Sequence, residues 1–279
     1  MAPKLKVSAG RRRYAAAKTP EITLLFWALK LLSTGMGEAI SDFLGSHSVL
    51  IGGMVGLVGT GLAFRLQFRQ DRFRAPYYWF AVLMVAIFGT MAADAIHDGA
   101  GIGYDITAPL FAAFTALVFY RWYRREGTLD IHTIETVARE RYYWLAVLGT
   151  FALGTAAGDL TATELGLGFF GSILLFGALM LVPLIGWWRF GLSPVIGFWL
   201  AYIDTRPLGA SFADWFSKPH ANTGLGLGDG RIALYALVLF IVLVTYKTLS
   251  GHGVQSAQRS LERSEAASRI AAATARANR

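Results

Sequence analysis

Polar side chains recur at steps of four residues in four otherwise apolar segments of the chain. Residues four apart on a helix lie on the same face, so each set would form a column along one side of its helix. Most of these side chains end in carboxylate or hydroxyl oxygens, which hard divalent cations prefer as ligands. The four columns are Thr34, Glu38 and Asp42; Thr90, Asp94 and Asp98; Thr155, Asp159 and Thr163; and Arg206, Ala210 and Asp214.

The carboxylates of these columns fall at two depths, one helical turn apart. The deeper level holds Glu38, Asp94 and Asp159, and the outer level holds Asp42, Asp98 and Asp214. An ionisable group inside a bilayer costs about 2.5–3.5 kcal/mol on insertion scales, and it persists when it faces a bundle interior with partners. The deeper group therefore favours a cation site, to which the threonines that begin the first three columns would add hydroxyl ligands. The outer group fits a ligand role and a helix end at the water interface equally well.

Arg206 stands where the other columns begin with threonine. We expect its guanidinium to neutralise Asp94 or Asp159 when no cation is bound, so that arginine and cation compete for the same carboxylates. Lys30 and Asp204 lie at a similar depth and are expected to pair with each other. A static structural ion pair is the alternative interpretation of these charges.

Two further residues bear on the predicted site. Pro207 lies in the middle of its segment and is expected to kink or break the helix, which would free backbone carbonyls as at transporter substrate sites. His97 adjoins the second column and would favour a transition metal, although its helical angle differs from that of the column.

The elements that must position these residues are eight apolar segments of about 20 residues each, the length that crosses a bilayer. They cover residues 22–44, 48–66, 77–96, 106–122, 142–160, 166–188, 194–216 and 232–249. Lysine and arginine cluster before the first segment and after each even-numbered one, which places both termini in the cytoplasm. The predicted fold is therefore an all-α membrane protein with eight transmembrane helices.

Composition supports a membrane location. Hydrophobic residues make up 54% of the 279 residues and charged residues only 16%, which is typical of a polytopic membrane protein. The net charge of +8 lies mainly at segment ends and in the tails, so it follows membrane topology and does not indicate nucleic-acid binding. The absence of cysteine excludes disulfides, thiol catalysis and cysteine-ligated zinc.

The odd-numbered segments repeat a second pattern near their start. An aromatic pair occurs in each, at Phe26–Trp27, Tyr78–Trp79, Tyr143–Trp144 and Phe198–Trp199, and a glycine-containing turn follows each column. The repeating unit is thus a two-helix hairpin used four times in one orientation. Such a bundle has either pseudo-fourfold or nested twofold symmetry, and the tryptophans serve as interfacial anchors or as packing residues.

These repeats resemble a known family of uncharacterised bacterial inner-membrane proteins with four tandem repeats, each of two transmembrane segments and a tryptophan. The resemblance covers residues 21–249, and its most specific stretches are "WALKLLSTGMGEAISDFL", "YWLAVLGTFALGTAAGDL" and "FWLAYIDTRPLGASFADWF". It implies a multi-pass protein of the bacterial inner membrane and supplies no activity.

The predicted organisation has three parts. Residues 1–20 form a basic cytoplasmic tail, and residues 21–249 form the membrane domain, with repeats over 21–66, 75–122, 138–190 and 192–249. Residues 250–279 form a cytoplasmic tail that is helical or disordered, and the connection 126–141 is a candidate for a short amphipathic helix at the membrane surface.

The predicted function is secondary transport of a hard divalent metal cation. Mn²⁺ is the first choice, with Mg²⁺ and Ca²⁺ as alternatives, and adjacent carboxylates would also carry protons and so couple transport to a proton gradient. Export is the expected direction. The expected partners are the lipid bilayer, the metal cation and protons; no prosthetic group, enzymatic activity or nucleic-acid partner is expected.

Two other functions stay open. A carrier for a small organic cation or amine would use the carboxylates as counter-ions and aromatic rings as a cage. An intramembrane metal-dependent hydrolase would need several histidines on one metal, and only His97 lies beside an acid of a predicted span.

Overall fold

The computed structural model describes residues 13–277, apart from the side chains of Asp98 and of residues 275–277. Over this range the fold is all helical, without a β-strand. Its helices are α1 (Leu24–His47), α2 (Val49–Arg69), α3 (Ala75–Asp94), α4 (Tyr104–Glu126), α5 (Val137–Asp159), α6 (Gly168–Phe190), α7 (Pro194–Ser217), α8 (Asp229–Ser250) and α9 (Ser256–Ala277). The first eight coincide with the eight predicted segments, and α9 shows the helical alternative for the C-terminal tail.

Five helices of the described range are long and apolar enough to cross a membrane by length and composition. They are α2, α3, α5, α6 and α8, with α3 and α5 counted together with the turns that follow them. The other helices among α1–α8 are more polar, because α1 and α7 carry the acidic and basic residues of the columns and α4 ends in arginines. The protein is thus a multi-pass membrane protein by the character of its helices.

Local sequence signals set the helix ends. The hydroxyl of Thr23 caps α1 by accepting a hydrogen bond from the backbone N–H of Phe26 at 3.2 Å. Ser48 is the single residue between α1 and α2, and its hydroxyl accepts from the N–H of Ile51 at 3.3 Å. Gly127 and Gly191 end α4 and α6 in the left-handed conformation that glycine adopts without strain.

The odd-numbered helices form a closed inner ring. Helix α1 packs against α3, α3 against α5, α5 against α7, and α7 against α1. Each even-numbered helix lies outside the ring, mainly on the first helix of the next hairpin: α2 on α3, α4 on α5, α6 on α7, and α8 on α1. This cyclic arrangement is the pseudo-fourfold alternative, and it points one face of every inner helix at a common axis.

The aromatic pairs of the four repeats meet in the protein core. Trp79, Trp144 and Trp199 are buried, and rings from different helices are in contact, as in the pairs Phe26–Trp79 at 5.8 Å and Tyr143–Trp199 at 6.1 Å between centroids. The tryptophans are therefore packing residues here. They lie in the half of the inner ring at which the chain enters α1, hereafter the termini end; the opposite end, with the hairpin turns, is the turn end.

Small residues allow the inner helices to approach closely. A Cβ atom on Gly209 of α7 would overlap the hydroxyl of Thr34 and lie 2.9 Å from the carbonyl oxygen of Leu31, both on α1. A Cβ atom on Gly154 of α5 would overlap Cγ of Arg206. Glycine at these positions brings α1 and α5 against α7 at the level of Arg206.

The structure corrects two expectations about the helices. Helix α7 is continuous through Pro207 from Pro194 to Ser217, so the predicted break does not occur. Residues 127–136 contain a 3₁₀ turn, Ile131–Thr133, instead of a surface helix. Irregular backbone occurs elsewhere, because π-helical turns, Ala95–Gly99 and Leu160–Glu164, follow directly after Asp94 and Asp159. Such turns are common at functional sites.

The N-terminal segment packs across the termini end of the bundle. Lys18 is buried and forms an ion pair of 2.6 Å with Glu140 of α5, which also accepts a hydrogen bond from the amide of Gln67 at 3.1 Å. Glu21 and Thr19 bond to the segment that follows α8, through Gly253 and Gln255. Residues 1–12 of the predicted basic tail lie outside the described residues.

Replacing Gly209 by alanine tests the close approach of α1 and α7. The new methyl group overlaps Thr34 and the backbone of Leu31, so we expect a loss of about 1–3 kcal/mol. Thermal unfolding of the detergent-solubilised protein measures this loss. Gly61→Ala on α2, where a Cβ atom meets nothing within 4 Å, is the matched control and should leave stability unchanged or raise it. Equal unfolding temperatures for Gly209→Ala and the control would contradict the helix contact.

Candidate cation site

Arg206 lies at the centre of the inner ring. Its side chain is fully buried, and its guanidinium donates to the carboxylate of Glu38 at 2.5 Å and to the hydroxyl of Thr155 at 2.7 Å. It also donates to the hydroxyl of Thr90 and, at 3.4 Å, to the backbone carbonyl of Thr34. The residues that begin the four columns thus meet at one level, with all four inner helices contributing.

A group of carboxylates lies one to two turns nearer the turn end. Single oxygens of Glu38, Asp42 and Asp214 all lie within 4.8 Å of one another. Two oxygens on opposite sides of one Ca²⁺ ion would be about 4.6–5.2 Å apart, and around Mg²⁺ about 4 Å. The three carboxylates, hereafter the acidic cluster, therefore surround a space of the size of one cation.

Asp159 of α5 adjoins the acidic cluster. Its carboxylate accepts a hydrogen bond from the side chain of Tyr104 and interacts electrostatically with Glu38 and Asp42. Asp214 in turn interacts electrostatically with Glu38, Asp42 and Asp159. Four acidic groups from three inner helices thus share one region, in which counter-charges or protons must relieve their mutual repulsion.

Two basic side chains supply part of that counter-charge, from opposite ends. Arg206 pairs with Glu38 from the termini side, and Lys218, just past the end of α7, pairs with Asp42 at 2.7 Å from the turn end. Lys218 also contacts Asp229 at 3.2 Å. Burial lowers the pKa of Lys218, but Asp42, Asp214 and Asp229 outweigh that effect and raise this pKa above its usual value. Lys218 is therefore charged at neutral pH.

Asp214 is the carboxylate of the cluster that these cations leave uncompensated. Its residue is only 4% exposed, yet it makes no hydrogen bond with the residues that the structure describes, and Lys218 acts on it only electrostatically. Buried carboxylates ordinarily accept several hydrogen bonds or bind a metal. The Asp214 carboxyl group inside the acidic cluster can therefore be compensated either by a bound cation or by a proton.

The model of the family described as Repeat of Unknown Function (DUF347) matches the chain three times, at residues 77–128, 142–192 and 197–252. These matches together cover more than half of the chain. The protein belongs to the DUF347 repeat family. Comparison with curated proteins and with solved structures found no match.

The three DUF347 matches correspond to the hairpins α3–α4, α5–α6 and α7–α8. The hairpin α1–α2 completes the ring with the same contacts to its neighbours, so the structure supplies the fourth repeat of this DUF347 protein. The first hairpin contributes Glu38 and Asp42, whereas Asp214 and Arg206 come from the last. The acidic cluster is thus formed where the two ends of the repeat array meet.

Some predicted site residues do not join the cluster. Asp94 is half-buried at the end of α3 and does not belong to the acidic cluster. His97 stacks on Tyr104 at 3.9 Å between ring centroids, and its Nδ1 lies 3.2 Å from the carbonyl oxygen of Ile102, so it contacts the hairpin turn. The side chain of Asp98 lies outside the described part of the structure.

The threonines and the second ion pair also differ from expectation. The hydroxyls of Thr90 and Thr155 accept hydrogen bonds from Arg206, whereas the hydroxyl of Thr34 donates to backbone carbonyls. Lys30 and Asp204 do not pair: both have a buried polar atom without a hydrogen-bond partner among the described residues. Lys30 lies four residues before Thr34 and so on the face of the α1 column, whereas Asp204 lies two residues before Arg206 and so on a different face of α7.

Lys218 is a site residue that the sequence analysis missed. It lies four residues after Asp214 and so continues the column of Arg206, Ala210 and Asp214 by one step. Extending each column in both directions would have found it.

A double-mutant cycle tests the contact between Arg206 and Glu38. Arg206→Met leaves a buried carboxylate without its counter-ion, so we expect a loss of about 3–5 kcal/mol. Glu38→Gln should be costly as well, because it strands the guanidinium. The double variant removes both charges and should be more stable than Arg206→Met alone, as measured by thermal unfolding in detergent. Additive losses in the double variant would show that the two groups do not interact.

Proposed function

We propose that this DUF347 protein carries a hard divalent metal cation across a membrane, with Mn²⁺ as the first choice and Mg²⁺ or Ca²⁺ as alternatives. The observation that supports this most is the acidic cluster itself: single oxygens of Glu38, Asp42 and Asp214 lie within 4.8 Å of one another, and Asp214, only 4% exposed, makes no hydrogen bond with the described residues. All donor atoms are oxygens, the ligands that these cations prefer.

The charges of the site fit a divalent ion. When ionised, Glu38, Asp42, Asp159 and Asp214 carry four negative charges, and Arg206 and Lys218 neutralise two of them. Two negative charges remain in a buried region, where an uncompensated charge costs several kcal/mol. One divalent cation, or two protons, restores neutrality. Alternation between these occupants is an exchange of a metal ion for protons.

Arg206 competes with the metal ion for the carboxylate of Glu38. Its guanidinium holds Glu38 at 2.5 Å and is itself held by hydroxyls of α3 and α5. We propose that a metal ion that binds Glu38 displaces this contact, so that the site alternates between an arginine-filled and a metal-filled state. A change in the contacts of α1 with α7 would follow from the same displacement, because these groups lie on those two helices.

The membrane arrangement is part of the proposal. All eight helices α1–α8 cross the bilayer, since the more polar α1, α4 and α7 lie side by side with the apolar ones in the double ring. Both termini are cytoplasmic, in line with the arginines after α2 and α4 at the termini end. The membrane is the bacterial inner membrane, the acidic cluster lies nearer its outer side, and the direction is export coupled to proton entry.

The alternative functions find less support in the site. The described part of the chain places no histidine in the acidic cluster, which disfavours a hydrolytic metal centre. The aromatic layer lies on the far side of Arg206 from the cluster, so it does not enclose an organic cation bound to these carboxylates. We therefore propose no enzymatic activity.

Transport by purified protein in proteoliposomes tests the proposal. A metal-sensitive dye inside the vesicles reports Mn²⁺ entry under a proton gradient, and we expect Asp214→Asn to reduce the initial rate at least about tenfold, since it removes the ligand that lacks a partner. Asp105→Asn, an exposed aspartate at the turn end, is the matched control and should transport normally. The absence of Mn²⁺, Mg²⁺ and Ca²⁺ transport by wild-type protein, or equal rates for Asp214→Asn and control, would refute the proposal.

A further inference from the structure

Lys30 lies on the inner-ring axis one step below the level of Arg206. It continues the α1 column by four residues, followed by Thr34, Glu38 and Asp42. Its residue is only 1% exposed, and its Nζ lies 4.1 Å from the ring centre of Phe151 and 4.3 Å from that of Tyr202. The side chain therefore ends between α5 and α7, on the opposite side of Arg206 from the acidic cluster.

The surroundings of Lys30 stabilise an ammonium poorly. Its Nζ has no hydrogen-bond partner among the described residues, and a buried ammonium ordinarily uses three. Cation–π contact with each of the two rings stabilises the ammonium by about 0.5–2 kcal/mol, which is less than the several kcal/mol that burial of a charge costs. The neutral amine avoids that cost, so small changes in the nearby charges decide whether this nitrogen holds its proton.

Arg206 is the nearby charge that acts on Lys30. Tyr202 of α7 is the titratable side chain against it, and α5 contributes the ring of Phe151. The other inner and outer helices packed around this half of the axis bring the buried titratable groups Tyr78, Tyr143 and Lys247. Tyr78 and Tyr143 bond to each other at 2.5 Å, and Lys247 lies over Trp79 at 5.9 Å. None of these offers the ammonium a carboxylate.

We propose that Lys30 carries one of the protons that are exchanged for the metal ion, and that Arg206 links the two sites. This inference rests on the proposed cation site. When a metal ion binds Glu38, the Arg206 guanidinium loses its counter-ion. The positive charge of the guanidinium then repels the Lys30 ammonium without the offset that the Glu38 carboxylate supplies. One N–H bond of the ammonium then breaks, the electron pair stays on Nζ and the proton passes to water. Release of the metal ion restores the ion pair between Arg206 and Glu38 and allows Lys30 to take up a proton again.

Proton release that accompanies Mn²⁺ binding tests this role. Titration calorimetry of the purified full-length protein, in buffers of different ionisation enthalpy, gives the number of protons released per Mn²⁺ bound. We expect Lys30→Met to bind Mn²⁺ with about one proton fewer released than wild type, and a correspondingly weaker dependence of affinity on pH. Lys30→Gln gives a second neutral variant, should the methionine variant fold poorly. Lys247→Met removes another buried lysine without a hydrogen-bond partner among the described residues, away from Arg206, and should release the wild-type number.

The outcomes separate the two proposals. Mn²⁺ binding with an unchanged proton count in both Lys30 variants overturns the role of Lys30 and leaves the cation site standing. A lower count in Lys247→Met as well as in the Lys30 variants overturns it too, because the effect would then follow from removal of any buried lysine. Failure of wild-type protein to bind Mn²⁺, Mg²⁺ or Ca²⁺ removes the cation site, and the inference about Lys30 with it.

Discussion

A guanidinium buried between membrane helices takes its hydrogen-bond acceptors from the protein, and in this DUF347 protein the contacts of Arg206 organise the inner ring, although its Nε has no acceptor among the described residues. Arg206 takes acceptors from α1, α3 and α5 and so ties α7 to the other inner helices at one level. The arrangement works only because Gly154 and Gly209 let the backbones approach. Charge compensation and close packing thus depend on each other at the same level of the bundle.

The site has different chemical groups at successive levels of its axis, although the chain is built of similar repeats, and the pseudo-symmetry explains how this arises. Equivalent positions in the ring hold different groups: threonine in three repeats and arginine in the fourth, and carboxylates in some positions with alanine at Ala210. The ring brings these unlike residues to one axis, where they form successive layers of aromatic rings with Lys30, the arginine layer, the acidic cluster and Lys218. Differences between repeats at equivalent positions therefore produce an ordered series of charges along the axis of the inner ring.

The sequence predicted the helices and the columns but only part of the contacts. The four-residue step was sufficient to place Thr90, Thr155 and Arg206 at one level, because helix geometry fixes the spacing along each helix. It could not show that Asp94 would stay apart from the cluster while Asp159, which is followed by the same kind of π-helical turn, adjoins it, because periodicity fixes the depth of a residue along its helix and not its distance from side chains of other helices. Nor could it show that α7 continues through Pro207, because neighbouring helices decide whether a proline interrupts a packed helix.

An experimental structure determined from crystals grown with Mn²⁺ would test the central claim directly, through anomalous scattering at the manganese absorption edge. The account predicts one anomalous peak inside the ring, with oxygens of Glu38, Asp42 and Asp214 at about 2.0–2.6 Å from it and the Arg206–Glu38 contact opened. Crystals in which these carboxylates point to separate places, or in which manganese binds only at the protein surface, would contradict it.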